Sequence, residues 1–329
     1  MTTASPPLLA IVIPAYKTKY LRAALQSIAN QTDRRFQLYV GDDASPEPVE
    51  TLVREFSGKI SIRYERFNEN LGKKSLVGHW TRCLKLTVEP WLWIFSDDDF
   101  LEPDCVAAFY AELAKTNGQH DAYRFNAIVE QTASRFPGGG ILEKPSHPPL
   151  QSGKDFLCGQ LCGPHNSYMQ EVIFSRAAWQ RVGIPDFPLA WFADDAFIAS
   201  LGEPRPLCAI AAPRIHWRWS DENITGSNSR SLLRIKFRSA ALFVKWAIQF
   251  LTTHKMEPRA AAQLTEKWYF AHARQNEMFL DRKLIQDIQA LACQCWGRTS
   301  GGILARSMAF NSRLLVTKIA SRTRRRRAK

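Results

Sequence analysis

The feature that most constrains the fold is an alternation of short apolar runs and amphipathic patterns over residues 8–95. Residues 8–13 are continuously apolar, as in a buried strand, whereas residues 20–29 repeat apolar side chains every three or four positions, as in a helix. The same alternation then predicts strands over residues 36–40, 60–67 and 91–95 and helices over residues 47–56 and 74–86. Strands that alternate with helices are typical of βαβ units, so we expect an α/β fold with a mainly parallel sheet flanked by helices.

The remainder of the chain predicts a less regular arrangement followed by a helical region. Residues 136–152 are rich in Gly, Pro and Ser and favour a surface loop, residues 167–174 favour a strand, and residues 176–182 favour a short helix. Residues 229–295 have a helical pattern with aromatic stripes, which we interpret as packing positions. The expected domain boundaries are 1–228 for the α/β domain, with halves 1–104 and 105–228, 229–295 for a helical extension and 296–329 for a basic tail.

The basic residues of the chain are concentrated in that tail. The 329 residues carry a formal net charge of +13, and ten Lys and Arg but no Asp or Glu lie between positions 288 and 329. A nucleic-acid-binding protein is one interpretation of an Arg-rich end, but such a protein would spread its basic residues over a folded face. Because the rest of the chain is close to neutral, we expect no nucleic acid partner.

The tail instead predicts attachment to an anionic membrane surface. Residues 303–319 can form a helix with one apolar face, and a run of Arg and Lys follows it, as in peripheral membrane anchors. The alternative is a basic end without a partner. The 7 cysteines are an odd number, we find no secretory signal, and no apolar run reaches the length of a membrane span. We therefore expect a cytoplasmic protein that is peripheral on the cytoplasmic face of the inner membrane.

Three consecutive carboxylates, Asp97, Asp98 and Asp99, follow the fourth predicted strand and are preceded by Ser96. Adjacent carboxylates repel one another unless a cation or hydrogen-bond donors stabilise them. Mg²⁺ and Mn²⁺ prefer one or two carboxylates together with phosphate oxygens, which predicts a divalent metal that neutralises a diphosphate here. An acidic turn that caps the next helix is the alternative, since Asp and Ser are good helix caps.

Two further groups of residues follow predicted strands at the same edge of the sheet. Asp42 and Asp43 follow the second strand, and Pro14, Ala15 and Tyr16 follow the first. Open α/β sheets bind ligands at the carboxyl ends of their strands. This placement suits carboxylates that accept hydrogen bonds from a base or ribose and a tyrosine on which a base stacks. The alternatives are ordinary turn residues and a structural tyrosine.

The order and spacing of these groups resemble family 2 glycosyltransferases of the GT-A fold. The resemblance rests on residues 11–16, 40–45, 70–72 and 95–99 and extends over about residues 8–219. It implies a Rossmann-like GT-A domain and an inverting transfer from a nucleoside-diphosphate sugar, with a UDP-sugar favoured and no covalent enzyme intermediate. The chain departs from the family pattern at Ser96, which replaces the first acid of the usual Asp-x-Asp motif.

The resemblance also implies roles for individual residues. It assigns the nucleotide to residues 1–104 and the acceptor to residues 105–228. The residues implied in nucleotide binding are Pro14, Ala15, Tyr16, Asp42, Asp43, Gly72, Lys73 and Asp97. The residues implied at the metal or diphosphate are Asp98, Asp99 and His216, the last of which is flanked by Arg214 and Arg218. A structural role for His216 is the alternative.

Asp194 and Asp195 resemble the acidic motif that this family places at the acceptor side. Inversion needs a carboxylate that removes the proton of the acceptor hydroxyl. Alignment of the motif favours Asp195 over Asp194 as this base. The alternative is that the pair caps the helix that follows, and one Asp can cap while the other reacts.

The function expected from these features is metal-dependent transfer of a sugar to a glycan or lipid-linked acceptor in polysaccharide biosynthesis. A catalytically inactive GT-A scaffold is the competing hypothesis, because Ser96 alters the metal motif. Donor hydrolysis in the presence of Mn²⁺ separates an enzyme from such a scaffold.

Overall fold

The computed structural model describes residues 8–132, 138–163, 167–220, 223–226 and 229–275. The chain divides into two compact units, Met1–Asn228 and Ser229–Lys329. The predicted basic tail and the last part of the predicted helical extension lie outside the described residues.

The first unit is a sheet flanked by helices. Its strands are β1 (Leu9–Ala15), β2 (Phe36–Asp42), β3 (Ile62–Arg66), β4 (Trp91–Ile94), β5 (Phe100–Leu101), β6 (Ala122–Gln131), β7 (Gly140–Glu143), β8 (Leu150–Gln151), β9 (Val172–Ser175) and β10 (Leu207–Trp219). Its helices are α1 (Leu21–Ala29), α2 (Val49–Arg54), α3 (Leu76–Leu84), α4 (Cys105–Lys115), α5 (Gly153–Cys162), α6 (Arg176–Val182) and α7 (Ala193–Leu201). The strands lie in the order β3-β2-β1-β4-β9-β6-β10-β5, with β7 beside β6 and β8 beside β10.

One half of the sheet is parallel, and its inner strands β1 and β2 are buried on both faces. β1 pairs in parallel with β2 and β4, and β2 pairs in parallel with β3. Leu9, Ile11 and Ile13 are fully buried, and so are Ala10 and Val12, which point to the opposite face of β1. β9 runs antiparallel to both β4 and β6 and joins this half to the parallel pair β6 and β10. The mainly parallel α/β fold predicted from the sequence is therefore confirmed.

Some elements differ from those that the sequence predicts. The predicted loop over residues 136–152 contains β7 and β8. All four residues of β7 are exposed, so no apolar alternation marks it, and its pairing with β6 satisfies its backbone instead. The strand predicted over residues 167–174 begins with a 3-10 turn, Met169–Glu171, before β9. The long strand β10, which no pattern indicates, has an irregular register between Ile210 and Ile215.

The described residues of the second unit form α8 (Arg230–Thr253) and α9 (Pro258–Gln275). Phe237 and Phe243 of α8 are buried, and their rings lie 4.8 Å from Tyr269 and 5.3 Å from Trp268 of α9. The aromatic stripe interpreted as packing thus holds these helices together. Among the described residues, we find no helix that is both long and apolar enough to cross a membrane.

Candidate functional site

The candidate site lies at the edge of the sheet where β1, β2 and β4 end. The Asp97 carboxylate, just beyond β4, accepts hydrogen bonds of 3.0 Å from the backbone N–H groups of Tyr16 and Lys17, just beyond β1. These segments meet because β1 and β4 are parallel neighbours. Burial raises the pKa of Asp97, and the two N–H groups oppose that rise. Pro14 and Ala15 end β1, and Tyr16 is 37% exposed, so its ring is accessible to a ligand.

Asp42 organises the loop after β2. Its fully buried carboxylate accepts a hydrogen bond of 2.7 Å from the backbone N–H of Ser45. Its other oxygen accepts from the Tyr64 hydroxyl and the Arg66 guanidinium, each at 2.6 Å. Asp42 therefore lies at the predicted edge, where its oxygens are bonded to protein groups.

Asp43 fixes the loop that contains Gly72 through hydrogen bonds to its backbone. It accepts hydrogen bonds of 2.8 Å from the backbone N–H groups of Leu71 and Gly72 and another from Arg82. A Cβ atom on Gly72 would lie 2.6 Å from an oxygen of Asp43, so this approach requires glycine. Lys73, which follows, is exposed. The structure thus brings these sequence-predicted residues together at one edge.

Asp99 is the most firmly held carboxylate of the acidic cluster. It is fully buried, and it accepts a hydrogen bond of 2.7 Å from the backbone N–H of Arg218 and another from the Gln170 amide. Burial raises the pKa of Asp99 to about 7, and the hydrogen bond from the Ser96 hydroxyl opposes the rise. Asp104, and not the acidic cluster, occupies the N-cap position of α4.

Asp98 is the carboxylate that best suits a divalent cation. It is half-buried, its backbone carbonyl accepts a hydrogen bond from Arg218, and no described residue donates one to its carboxylate. Burial and the charges of Asp99 and Asp97 raise the pKa of Asp98 well above its usual range, which a bound cation would reverse. In the described part of the chain, no three His, Cys, Asp or Glu side chains are grouped to hold a metal. Mg²⁺ takes one or two carboxylates together with phosphate oxygens, and the Asp98 carboxylate fits one of those positions.

His216 lies on β10 between two carboxylates. Its Nδ1 is 2.8 Å from Oε1 of Glu130, and its Nε2 is 3.4 Å from Oε1 of Glu102. The ring stacks on Phe100 with the centroids 4.3 Å apart. Both ring nitrogens thus face protein carboxylates.

The two arginines that flank His216 have different partners. Arg214 lies 3.5 Å from Glu102 and 3.3 Å from Glu143. The Arg218 guanidinium contacts the acidic cluster through the Asp98 carbonyl and lies 4.3 Å from the ring centroid of Tyr20. Of these two arginines, Arg218 is therefore the one that contacts the acidic cluster.

Asp194 and Asp195 lie in the first turn of α7, where the helix dipole favours negative charge. Phe192 occupies the N-cap position, so neither carboxylate caps the helix. The backbone N–H of Asp195 donates to Asp194 at 3.0 Å. The Oδ1 atom of Asp195 is shielded from solvent and has no hydrogen-bond partner among the residues that the structure describes.

Both carboxylates of this acidic pair have raised pKa values, and the backbone just before the pair is strained. Burial raises the pKa of Asp194 to about 7, and burial together with the charge of Asp194 raises the pKa of Asp195 well above its usual range. The preceding residues Leu189, Ala190 and Phe192 have φ values of 61°, 52° and 68°, in the left-handed region that side chains disfavour. A shielded carboxylate with a raised pKa is suited to accept a proton from a bound hydroxyl.

A buried charge cluster around Glu171 is a feature that the sequence analysis missed. Arg124 donates to Glu171 at 2.9 and 3.0 Å, Lys144 lies at 3.1 Å and His147 at 3.2 Å. Burial alone would raise the pKa of Glu171, but Lys144 and Arg124 outweigh it and hold the pKa well below its usual range. Glu171, Arg124 and Lys144 also act electrostatically on Asp195. The one sequence signal was an arginine within the otherwise apolar start of β6.

The sequence matches the family model described as glycosyl transferase family 2 over residues 10–173. Chondroitin synthase of Escherichia coli is 24% identical over 176 residues, which are 53% of this chain and 23% of that protein. An uncharacterised glycosyltransferase of Rickettsia typhi is 31% identical over 142 residues, which are 43% of this chain and 39% of that protein. The chain thus spans well under half the length of these curated relatives.

Solved structures share the fold over most of the chain. TarS 1-349 of S. aureus in complex with UDP-GlcNAc matches with a TM-score of 0.66 and 13% identity, covering 87% of this chain and 81% of that chain. The mannosyltransferase PcManGT of Pyrobaculum calidifontis, in complex with GDP-Man and Mn²⁺, matches with a TM-score of 0.50 and 16% identity, covering 93% and 80%. At these identities the likeness shows the fold, which is that of GT-A glycosyltransferases.

Proposed function

This chain belongs to glycosyltransferase family 2, and we propose that it transfers a sugar from a nucleoside-diphosphate sugar to an acceptor hydroxyl with inversion at the anomeric carbon. The observation that carries this proposal is the Oδ1 atom of Asp195, which is shielded from solvent and has no partner among the described residues. An unsatisfied buried oxygen is costly, so its persistence favours a role for it in binding an external group.

The donor is proposed to bind at the edge formed by the ends of β1, β2 and β4. Tyr16 is accessible for stacking on the base, and Asp97 ties its backbone to the end of β4. Asp42 and Asp43 shape the loops on the other side, including the approach at Gly72. The UDP-GlcNAc in the TarS structure and the GDP-Man in the mannosyltransferase structure support a nucleotide-sugar, and we favour a UDP-sugar.

A divalent cation, Mg²⁺ or Mn²⁺, is proposed to be held by Asp98, with Asp99 and His216 as further candidates. The Mn²⁺ in the mannosyltransferase structure supports this part of the proposal. When bound, such a cation neutralises charge on the departing diphosphate. Arg218 would add a guanidinium on the same side, since it already contacts the Asp98 carbonyl.

The proposed reaction is a single displacement in which Asp195 is the base. Oδ1 of Asp195 accepts the proton of the acceptor hydroxyl while that oxygen attacks the anomeric carbon from the face opposite the diphosphate. The new carbon–oxygen bond forms as the bond to the diphosphate breaks, and the nucleoside diphosphate leaves with the electron pair. The raised pKa of Asp195 makes it a stronger base than an exposed carboxylate.

The proposed acceptor is a glycan or a lipid-linked glycan in polysaccharide biosynthesis at the cytoplasmic face of the inner membrane. The similarity to chondroitin synthase of Escherichia coli supports this acceptor class. The basic tail over residues 296–329 is proposed to bind anionic lipid, and no nucleic acid partner is proposed.

The test is Asp195→Asn, which keeps the shape of the side chain but cannot accept the proton. Loss of a general base lowers the rate by about 100- to 10,000-fold. The assay is release of nucleoside diphosphate from a panel of UDP- and GDP-sugars with Mn²⁺, alongside UDP and GDP binding measured by thermal shift. Nucleotide binding is expected to stay near that of the wild type.

Asp155→Asn is the matched control, because Asp155 lies at the equivalent position in the first turn of α5 and is exposed. It is expected to leave turnover unchanged. If Asp194→Asn is the slow variant and Asp195→Asn is not, the assignment of the base is reversed. Normal turnover in both variants would refute the proposed mechanism.

A further inference from the structure

The exposed side of α8 is a single narrow stripe. Its exposed residues recur every three or four positions, which places them within about 100° of arc around the helix axis. They are Ser231, Arg234, Ile235, Arg238, Leu242, Lys245, Gln249 and Thr253. The other side of the helix is buried and includes Phe237 and Phe243, which pack against α9.

The two borders of this stripe differ in chemistry. Arg234, Arg238 and Lys245 lie along one border, and the sequence of α8 itself contains no Asp or Glu. Ile235 and Leu242 lie along the other border and are 39% and 44% exposed. A single exposed aliphatic side chain is ordinary, but two on one face, beside a row of three basic side chains, are not required by a solvated surface.

The half-buried Trp246 extends the apolar border. One helical turn beyond Leu242, its ring stacks on Phe243 and Phe250 with centroids 5.9 and 4.9 Å apart. Tryptophan is favoured where a membrane meets water, because its ring is amphipathic. The apolar border therefore combines the exposed Ile235 and Leu242 with the Trp246 ring, which stacking on its neighbours holds in place.

We propose that this stripe of α8 docks on an anionic lipid bilayer, with the helix axis in the plane of the surface. An interfacial helix places its aliphatic side chains among the acyl-chain boundary atoms and its Lys and Arg side chains against lipid phosphates. The stripe has both components side by side, and its charge is complementary to an anionic leaflet. This surface consists of residues 231–253 of the second unit, and the proposal for it does not involve the basic tail.

The charges and the aliphatic groups contribute separately to binding. Each basic side chain near an anionic surface strengthens partitioning by about fivefold. Three such residues therefore contribute about 100-fold. Removing most of the apolar side chains at Ile235 and Leu242 is expected to weaken binding by at least about tenfold.

The experiment is co-sedimentation of the full chain with phosphatidylglycerol-rich vesicles and with phosphatidylcholine vesicles at low salt. The first variant carries Arg234→Gln, Arg238→Gln and Lys245→Gln, and the second carries Ile235→Ala and Leu242→Ala. Gln and Ala are good helix formers, so both variants are expected to fold, which far-UV circular dichroism checks. We expect about 100-fold and at least tenfold weaker binding to the anionic vesicles, respectively.

The matched control removes the same charge from α9 and the turn before it, with Lys255→Gln, Arg259→Gln and Lys267→Gln at exposed positions. It is expected to bind vesicles as the wild type does. Equal loss in the control would show that overall charge, and not the stripe, governs binding.

Wild-type protein that does not sediment with the anionic vesicles, or a first variant that binds them normally, would overturn the proposal. A wild-type dimer that the second variant dissociates, seen by light scattering, would assign the stripe to a second copy of the chain and also overturn it. Nucleoside diphosphate release is expected to be unchanged in all these variants, so this test is independent of the proposed reaction.

Discussion

Replacement of Glu171 by Gln removes the negative charge at the centre of the buried cluster and keeps the size of the side chain. Arg124 and Lys144, which lie 2.9 and 3.1 Å from its oxygens, then lose this negative charge as a partner. The side chain of Glu171 is fully buried and that of Arg124 is only 3% exposed, so water does not screen the uncompensated charge. The variant is therefore expected to be strongly destabilised.

The magnitude follows from the cost of breaking a buried ion pair, which is about 3–5 kcal/mol. A domain of about 150–250 residues loses roughly 2–4 °C in melting temperature for each kcal/mol. The melting temperature of the first unit is thus expected to fall by about 6–20 °C. This loss of stability arises because Arg124 and Lys144 stay buried without the charge of Glu171. The loss is expected to be smaller if Arg124 is also replaced by an apolar residue.

The effect also depends on pH in a direction that the cluster sets. Lys144 and Arg124 hold the pKa of Glu171 well below its usual range despite burial. A carboxylate whose pKa is lower in the folded state stabilises the fold above its unfolded pKa, about 4.3, and loses that contribution as pH falls through the folded value. The difference between wild type and Glu171→Gln is therefore complete at neutral pH and narrows only below about pH 4.

Thermal unfolding followed by circular dichroism at several pH values measures both effects. Glu50→Gln is the control, because its partner Arg54 is 77% exposed and such a surface pair contributes little, within about 1 kcal/mol. A Glu171→Gln variant that melts within about 2 °C of the wild type at pH 7 would contradict a stabilising role of this buried charge. A difference that widens on acidification from pH 7 to pH 4 would contradict the assigned direction of the pKa.

Three further predictions concern the candidate site. Asp98→Ala is expected to abolish metal-dependent donor turnover with the fold retained, because the Asp98 carboxylate, unlike those of Asp97 and Asp99, accepts no hydrogen bond from a described residue. Near-normal turnover at saturating Mn²⁺ would contradict this role. Asp194→Asn removes a negative charge that raises the pKa of Asp195, so the acidic limb of the kcat/KM profile against pH is expected to move to lower pH. An unchanged acidic limb would exclude this electrostatic coupling between Asp194 and Asp195. Gly72→Ala forces a Cβ against Asp43, so a loss of about 1–3 kcal/mol in stability or a clear weakening of UDP binding is expected. Urea unfolding measures the first effect and thermal shift the second. An alanine variant that matches the wild type in both would show that the loop accommodates the extra methyl group.

The predictability of each element depended on how local its signal is. β1, β2 and β4 could be predicted because each is an apolar run that ends at a polar turn, a pattern that these residues carry by themselves. β7 could not, because its four residues are exposed and only its pairing with β6 makes it a strand. The charge cluster around Glu171 was missed for the same reason, since Arg124 and Lys144 are distant from it in the chain and converge only after folding.

Strand length and turn position follow from local apolar patterns, so the positions of the acidic groups relative to the strand ends could be predicted from the amino-acid sequence. Which of these carboxylates have hydrogen-bond partners depends on the tertiary structure. Asp42, Asp43 and Asp99 accept hydrogen bonds from groups on other elements, whereas the Asp98 carboxylate and Oδ1 of Asp195 have none from the described residues. Burial and hydrogen bonding are set by residues far apart in the chain, so the chemical state of a carboxylate cannot be inferred from its neighbours in sequence.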